Sequence, residues 1–311
     1  PACELIKNRT LASIPFAGRF RLIDFVLSSL VNAGVDNIAV VPKKNFASLE
    51  DHLGNGKYWD LDHRNSGLRI LSPFFKTAHS NEVFMARGKL DAMRAVQTHI
   101  KHIKEEYIVI TNGNVVANID FSDVFKAQIE SGADITAVYS KRPSTDSKAL
   151  ELHFNGKKVT AMNYITEKSE QNKDISLNIY VMKKSLLMDI IHEADTHDYH
   201  SFETYALINN LDSLNIVGYE HKDYARVIYT VGEYYETSMD MLNKDVRAQV
   251  FCDERPVLTR VKDSVPVLYQ FNAKIENSLI ADGCFIDGTV KNSIIFRNVK
   301  VETGSVIKNS I

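Results

Sequence analysis

Cysteine is scarce in this chain: among 311 residues only Cys3, Cys252 and Cys284 carry a thiol. They lie far apart and form no CxxC pair, which argues against a disulfide framework or a zinc site and fits a reducing cytoplasm. An excess of one charge is also missing, since 37 basic residues face 39 acidic ones for a formal net charge of −2. General affinity for nucleic acid or anionic lipid needs a basic excess or stripe, so neither partner is expected. No apolar run approaches the roughly 20 residues of a membrane-spanning helix. A composition of 44% hydrophobic and 24% charged residues is equally far from that of disordered chains. The segment after Pro1 has neither an apolar signal core nor an Arg-rich transit pattern, so no export is implied.

The length suits two unequal domains. From Phe20 to Ala33, Leu22, Ile23, Val26, Leu27, Leu30 and Val31 recur at helical spacing, and Gly34 stands where a helix end favours glycine. Ile38 to Val41 follows as a short continuous apolar run, the pattern of a strand covered on both faces. Leu90, Met93, Val96, Ile100 and Ile103 stripe a second helix, and Tyr107 to Ile110 reads as a buried strand ending at a Thr111 to Asn114 turn. Ser122 can cap a third helix, which Gly132 ends before the strand Ile135 to Tyr139. This alternation predicts an α/β fold with a mainly parallel sheet, and such sheets bind ligands beyond the carboxyl ends of their strands. Between Leu150 and Met182 short strands and an Asn155-Gly156 turn suggest an antiparallel excursion beside the main sheet.

A helix is expected from about Val231 to Val250, closing an α/β domain over 1–250. The stretch 251–274, with Pro256 and Pro266, reads as linker or edge, and 275–311 as an incomplete repeat domain. In this tail Ile280 and Ile286 stand six apart, as do Ile295, Val301 and Ile307, which predicts a parallel β-helix with stacked inward side chains. A nine-residue step from Ile286 to Ile295 breaks the register. Both chain ends are expected to be cut short, because the chain opens in a loop and stops within the repeat.

The segment Arg9 to Ser28 resembles the sugar-phosphate nucleotidyltransferases, and most closely the ADP-glucose pyrophosphorylases. Further matches follow in order: Gly88-Lys-Leu-Asp-Ala92 is similar to a GTADA-like stretch, Glu167-Lys168 to a Glu-Lys pair, Ser176 to Val181 to an SMGIYVF-like strand, and Tyr224-Ala-Arg226 to a YWRDVGT-like strand. The resemblance implies a Rossmann-like domain followed by the start of a left-handed parallel β-helix. It also implies attack of glucose 1-phosphate on ATP to give ADP-glucose and pyrophosphate, with Mg²⁺ held by two aspartates.

Both aspartate positions are changed here. The first falls on Asn114, an uncharged amide, and the second on Val227, a hydrocarbon that ligates no metal. The family's Gly-rich phosphate loop is absent, and the lysine near it corresponds to Leu11. No cofactor is therefore expected on this chain, with Mg²⁺ belonging to a catalytic partner. The departures resemble a regulatory, D-type subunit that joins a catalytic ADP-glucose pyrophosphorylase subunit in a cytoplasmic hetero-oligomer, with a tetramer among the states the resemblance leaves open.

Residues for the remaining sites follow from the same resemblance. Glu167, Lys168 and Ser176 would contact the sugar phosphate, although Glu167-Lys168 also reads as a solvated pair in a polar loop. Asn178 stands where the family prefers glycine and could narrow the pocket. Gly88 and Asp91 would lie on the nucleotide side, with helix capping as the simpler role for Asp91. Arg9, Arg19 and Arg21 could grip a phosphorylated effector or form an ordinary solvated face. His192, His197 and His200 do not align on one helical face, so no metal site is assigned to them. Two other functions remain open: a weakly active nucleotidyltransferase using Asp120 or Asp223 instead, and a non-enzymatic sugar-phosphate sensor.

Overall fold

The first predicted helix forms over Leu22–Asn32 (α1) in the computed structural model, which describes residues 5–64, 66–75, 83–144, 149–167 and 169–311. The Asp24 carboxylate accepts from the Arg21 amide at 2.9 Å and closes its first turn, and Gly34 at φ +78° ends it. Every residue from Leu22 to Leu30 is buried. Ile23, Val26, Leu27 and Leu30 enter one core while Leu22 and Phe25 enter another, so α1 divides two apolar clusters rather than presenting a single stripe.

Strand β1 (Asn37–Val40) pairs in parallel with β2 (Gly67–Ile70). The helix striped by Leu90 to Ile103 is broken at Val96, giving α2 (Lys89–Ala95) and α3 (Gln97–His102). Next come β3 (Tyr107–Ile110), β4 (Val115–Ala117) and α4 (Phe121–Ser131). Asp120, not Ser122, caps α4: its carboxylate accepts from the Ser122 and Asp123 amides at 3.0 and 3.4 Å. A carboxylate two residues earlier reaches the exposed amides of the first turn better than the Ser122 hydroxyl, which already lies inside the helix.

The remaining α/β elements are β5 (Ile135–Ser144), β6 (Leu150–Asn155), β7 (Lys158–Tyr164), β8 (Ser169–Lys183), α5 (Lys184–His197), β9 (Ile216–Glu220), β10 (Ala225–Val227), α6 (Val231–Asp240) and α7 (Lys244–Val250). The helix expected from Val231 to Val250 is thus two, restarted at Asn243, whose side chain accepts from the Asp245 amide at 2.8 Å.

The expectation of a mainly parallel sheet is corrected. The six-stranded sheet runs β6-β7-β9-β5-β8-β3, and only β9 and β5 pair in parallel. The 15-residue β8 runs antiparallel to both β3 and β5, so the segment read as an excursion beside the sheet lies inside it. Its hydrophobic run from Ile175 to Met182 is buried on both faces, which local periodicity cannot distinguish from a parallel strand. β10 pairs antiparallel with β4. Among the described residues, β1 and β3 each keep one edge without a strand partner. A cavity of about 760 Å³ lined by Ile38, Val96, Ile100, Ile108, Val109 and Phe125 adjoins those edges.

The tail stacks in parallel coils. β11 (Leu268–Tyr269), β14 (Phe285–Ile286) and β17 (Lys300–Val301) form one wall. The second is β12 (Lys274–Glu276), β15 (Thr289–Lys291) and β18 (Val306–Lys308), and the third is β13 (Leu279–Ile280) and β16 (Ile294–Ile295). The first strand begins at Leu268, inside the stretch read as linker. Val290, fully buried with Ile286 and Ile295, fills the nine-residue gap between them. Asn277 and Asn292 turn two corners at φ +42° and +46°, conformations asparagine tolerates, and their side chains bond at 3.0 Å. Among the described residues no helix is long and apolar enough to cross a membrane.

Candidate functional site

The turn after β3 and the strand β10 come together as the two motifs require. Asn114 is 5% exposed and Val227 2%. Val227 is registered with Val115 across the β10–β4 pair. Asn114 Nδ2 donates to the Ile228 carbonyl at 2.6 Å, and the Ile228 amide donates back to the Asn114 carbonyl at 3.0 Å. The amide side chain therefore stitches the two strands together where a carboxylate would have faced a carbonyl oxygen. Leu11 lies in a short helical turn, Leu11–Ser13, that covers the same region. A Cβ on Gly113 would come within 2.8 Å of Ala12 Cβ, so this turn tolerates only glycine without movement.

These residues do not fit a divalent cation. The Asn114 side chain has used its amide nitrogen on a backbone carbonyl, Val227 offers no donor, and hard cations require several oxygen ligands, usually with carboxylate charge. Among the described residues no three His, Cys, Asp or Glu side chains cluster as a metal site. Asp120 caps α4 and lies 3.4 Å from Arg255, while Asp223 is exposed, so neither carboxylate joins Asn114.

On the sugar side, Ser176 is buried. Its Oγ accepts from the Asn178 amide at 3.0 Å and lies 3.3 Å from Tyr180 Oη. Asn178 adopts φ +56° at a break in the β8–β5 register between Ser176 and Ile179, and Nδ2 donates to Tyr229 Oη at 2.5 Å. The bulge aims the Asn178 side chain at the loop after β10 and closes a chain of bonds across the space between the strands. Glu167 is exposed, and its carbonyl accepts from Ser144 Oγ at 3.1 Å. Lys168 lies outside the described residues.

The nucleotide side is equally filled. Gly88 precedes α2, and a Cβ there would approach the His200 carbonyl to 2.1 Å. Asp91 is buried: its oxygens accept from the Arg87 amide at 3.0 Å and Arg94 at 3.2 Å, and lie 2.9 Å from His200 Nδ1. Burial pushes this carboxyl up, but the Arg87 amide, His200 and the Arg87 charge together bring it below the ordinary value. Lys89, beside it, pairs with Glu203 at 2.5 Å and lies 5.3 Å over the Tyr180 ring. Desolvation lowers the Lys89 pKa while Glu203 opposes the shift. Of the three histidines, His200 belongs to this network, and His192 and His197 are exposed on α5.

Of the N-terminal arginines, Arg9 and Arg21 lie close enough for their charges to interact, and Arg19 stands apart. Arg21 donates to the Ser48 carbonyl and to Ser48 Oγ at 2.9 Å, and its pKa is lowered by burial, with the Arg9 charge adding. Arg19 is exposed and sits 5.5 Å over Phe20. Sequence reasoning missed Lys89, Glu203, Tyr229 and the buried Arg142. Only Lys89 carried a signal, as a charged residue in a stretch where the resemblance calls for small polar ones. The 760 Å³ cavity is bounded by strand edges and apolar side chains and touches this region only at Gly88, Lys89 and the Thr111 to Gly113 turn, so its size says little about chemistry.

Residues 5–225 match the family model for nucleotidyl transferase, and residues 268–311 match that for the GlmU-like C-terminal hexapeptide. Glycogen biosynthesis protein GlgD of Geobacillus stearothermophilus is 37% identical over 97% of this chain and 78% of its own length. The protein of that name from Bacillus subtilis (strain 168) is 35% identical over 98% of this chain and 78% of its own. A glucose-1-phosphate adenylyltransferase of Fusobacterium nucleatum subsp. nucleatum is 28% identical over 98% and 80%.

Proposed function

This chain belongs to the nucleotidyl transferase family and to the same group as the GlgD proteins, and from that premise we propose that it acts in glycogen biosynthesis as a non-catalytic, regulatory subunit. The observation that supports the reading is the Asn114 to Ile228 stitch beside Val227, an amide and a hydrocarbon at the positions where the resemblance expects the two metal-binding aspartates. Without those carboxylates the chain has no means of holding the Mg²⁺ that screens a triphosphate during transfer. The catalytic partner, a glucose-1-phosphate adenylyltransferase subunit, supplies the ion and the chemistry in a cytoplasmic hetero-oligomer, and the coils continue as a left-handed parallel β-helix.

The filled pocket supports the same role. Asn178 and Tyr229 bond across it, Lys89 is held by Glu203, and Asp91 has its oxygens engaged by Arg87, Arg94 and His200. Such side chains stiffen a domain whose contribution is shape and interface, and any effect on a partner is a coupling free energy between the two subunits. The test is an assay of ATP plus glucose 1-phosphate with Mg²⁺, using this protein alone, the catalytic subunit alone, and the mixture. Background turnover alone with altered turnover in the mixture is the expected result. Mg²⁺-dependent ADP-glucose formation by this protein alone would overturn the proposal in favour of an active enzyme, and ligand binding with no effect on the partner would favour a sensor.

A further inference from the structure

Three buried polar atoms without a protein partner occur close together in the sheet: Ser140 Oγ, Arg142 Nε and His221 Nε2. Ser140 and Arg142 are two residues apart on β5, so their side chains stand on one face. Glu220 of β9 is registered with Tyr139, and the His221 amide donates to the Tyr139 carbonyl at 2.7 Å, which brings His221 alongside Ser140. Native proteins rarely leave buried donors unmet, so the Ser140 hydroxyl and the Arg142 Nε–H in one neighbourhood call for an acceptor from outside the chain.

The charge of that acceptor follows from Arg142. Arg142 as a residue is 5% exposed, and its buried Nε makes no hydrogen bond to a described residue. Among the described residues, the groups acting most strongly on it are Arg226, Glu233, Tyr229 and Tyr224, with the Arg226 charge outweighing that of Glu233. Glu233 Oε2 is already taken by the Tyr229 and Thr230 amides at 2.8 and 2.9 Å and by Thr230 Oγ1 at 3.2 Å. Burial, with the Arg226 charge adding, pulls the Arg142 pKa down to about 10, the mark of a cation short of counter-charge. Arg226 is half-buried, stacked 5.4 Å over Tyr224, and gives the cluster a solvent-facing side. It points away from the Ala225 and Val227 face of β10, so the cluster is distinct from the substituted metal position.

We infer that Arg142 and Arg226 form an anion site that takes a phosphate group, with Ser140 as an additional donor. Two guanidinium forks and a hydroxyl match a tetrahedral dianion, whose oxygens accept many charge-assisted bonds, better than they match a halide. This assignment is independent of the glycogen role, because it needs neither turnover nor a partner.

Inorganic phosphate is the probe. Calorimetric titration of the whole protein at constant ionic strength should give one saturable site, weakened at least tenfold in both Arg142→Met and Arg226→Gln and unchanged in Arg19→Gln. Without phosphate, Arg142→Met should melt at or above the wild-type temperature, since it removes an uncompensated buried charge, whereas a purely structural arginine would lower it. Should the methionine variant fail to fold, Arg142→Lys keeps the charge but loses the fork, and it too should bind at least tenfold more weakly. Absence of saturable binding, which would mean that water alone satisfies the donors, overturns the assignment. So does wild-type affinity in folded Arg142 variants, or loss of binding in Arg19→Gln.

Discussion

Changing Asn114 to aspartate restores the charge a metal site would need, yet the surrounding geometry argues that it will harm the protein. Asn114 Nδ2 donates to the Ile228 carbonyl at 2.6 Å at a site only 5% exposed. The Asn114→Asp change replaces this donor with an acceptor facing another acceptor. The lost hydrogen bond is worth about 1 kcal/mol and the stranded carbonyl about 1–3 kcal/mol more, a total near 2–4 kcal/mol. At roughly 2–4 °C per kcal/mol for chains of this general size, the melting temperature should fall by about 4–16 °C at pH 7. Burial and the adjacent carbonyl raise the introduced carboxyl's pKa in the folded state. Its protonated form can donate again, so the deficit should shrink at low pH and grow as pH rises through that raised value. Thermal denaturation at pH 5 and pH 8, with and without 10 mM Mg²⁺ (roughly saturating for a site of millimolar affinity), measures all of this. Wild-type stability at pH 8, or recovery of the lost stability by Mg²⁺ in this single variant, would refute the view that the amide is a structural stitch beside a dead metal position.

Other perturbations test the neighbouring arrangement. Gly88→Ala places a Cβ 2.1 Å from the His200 carbonyl, so the loop must move. Limited proteolysis near His200 should accelerate and stability should drop by about 1–3 kcal/mol. Tyr229→Phe removes the acceptor for Asn178 Nδ2 and should cost about 1–2 kcal/mol in denaturant unfolding, without restoring ADP-glucose formation. His52→Ala removes one of the two partners of the buried Asp24 carboxylate, which lies 2.6 Å from His52 Nε2 and keeps the Arg21 amide, and should cost about 1–3 kcal/mol. For Asp91 the folded pKa is depressed, so its stabilisation is complete above the ordinary value of 3.8 and is lost as pH falls through the lower native value. Asp91→Asn should therefore flatten the acid limb of a stability profile, and an unchanged limb would contradict the assignment.

The family, the first helix and the hexapeptide repeat were legible in the residues. Each depended on a local pattern: Leu22 to Val31 at helical spacing, an ordered set of motifs, Asn114 and Val227 at recognisable places within them, and inward side chains at six-residue steps. Local pattern also fixed where helices stop, as Gly34 and Gly132 do at φ +78° and +59°. Contacts between distant segments were not legible. Nothing near Ile175 to Met182 says whether that doubly buried strand runs parallel or antiparallel, because burial on both faces erases the alternation from which direction might be inferred. The partner of Asn178 is 51 residues away, that of Lys89 is 114 residues away, and Arg142 stands out only because the fold buries it near Arg226. Residue identities thus marked the amide and the hydrocarbon at two motif positions, while packing across the sheet decided which polar groups are buried and what they bond to, since desolvation and hydrogen-bond satisfaction exist only once distant segments meet.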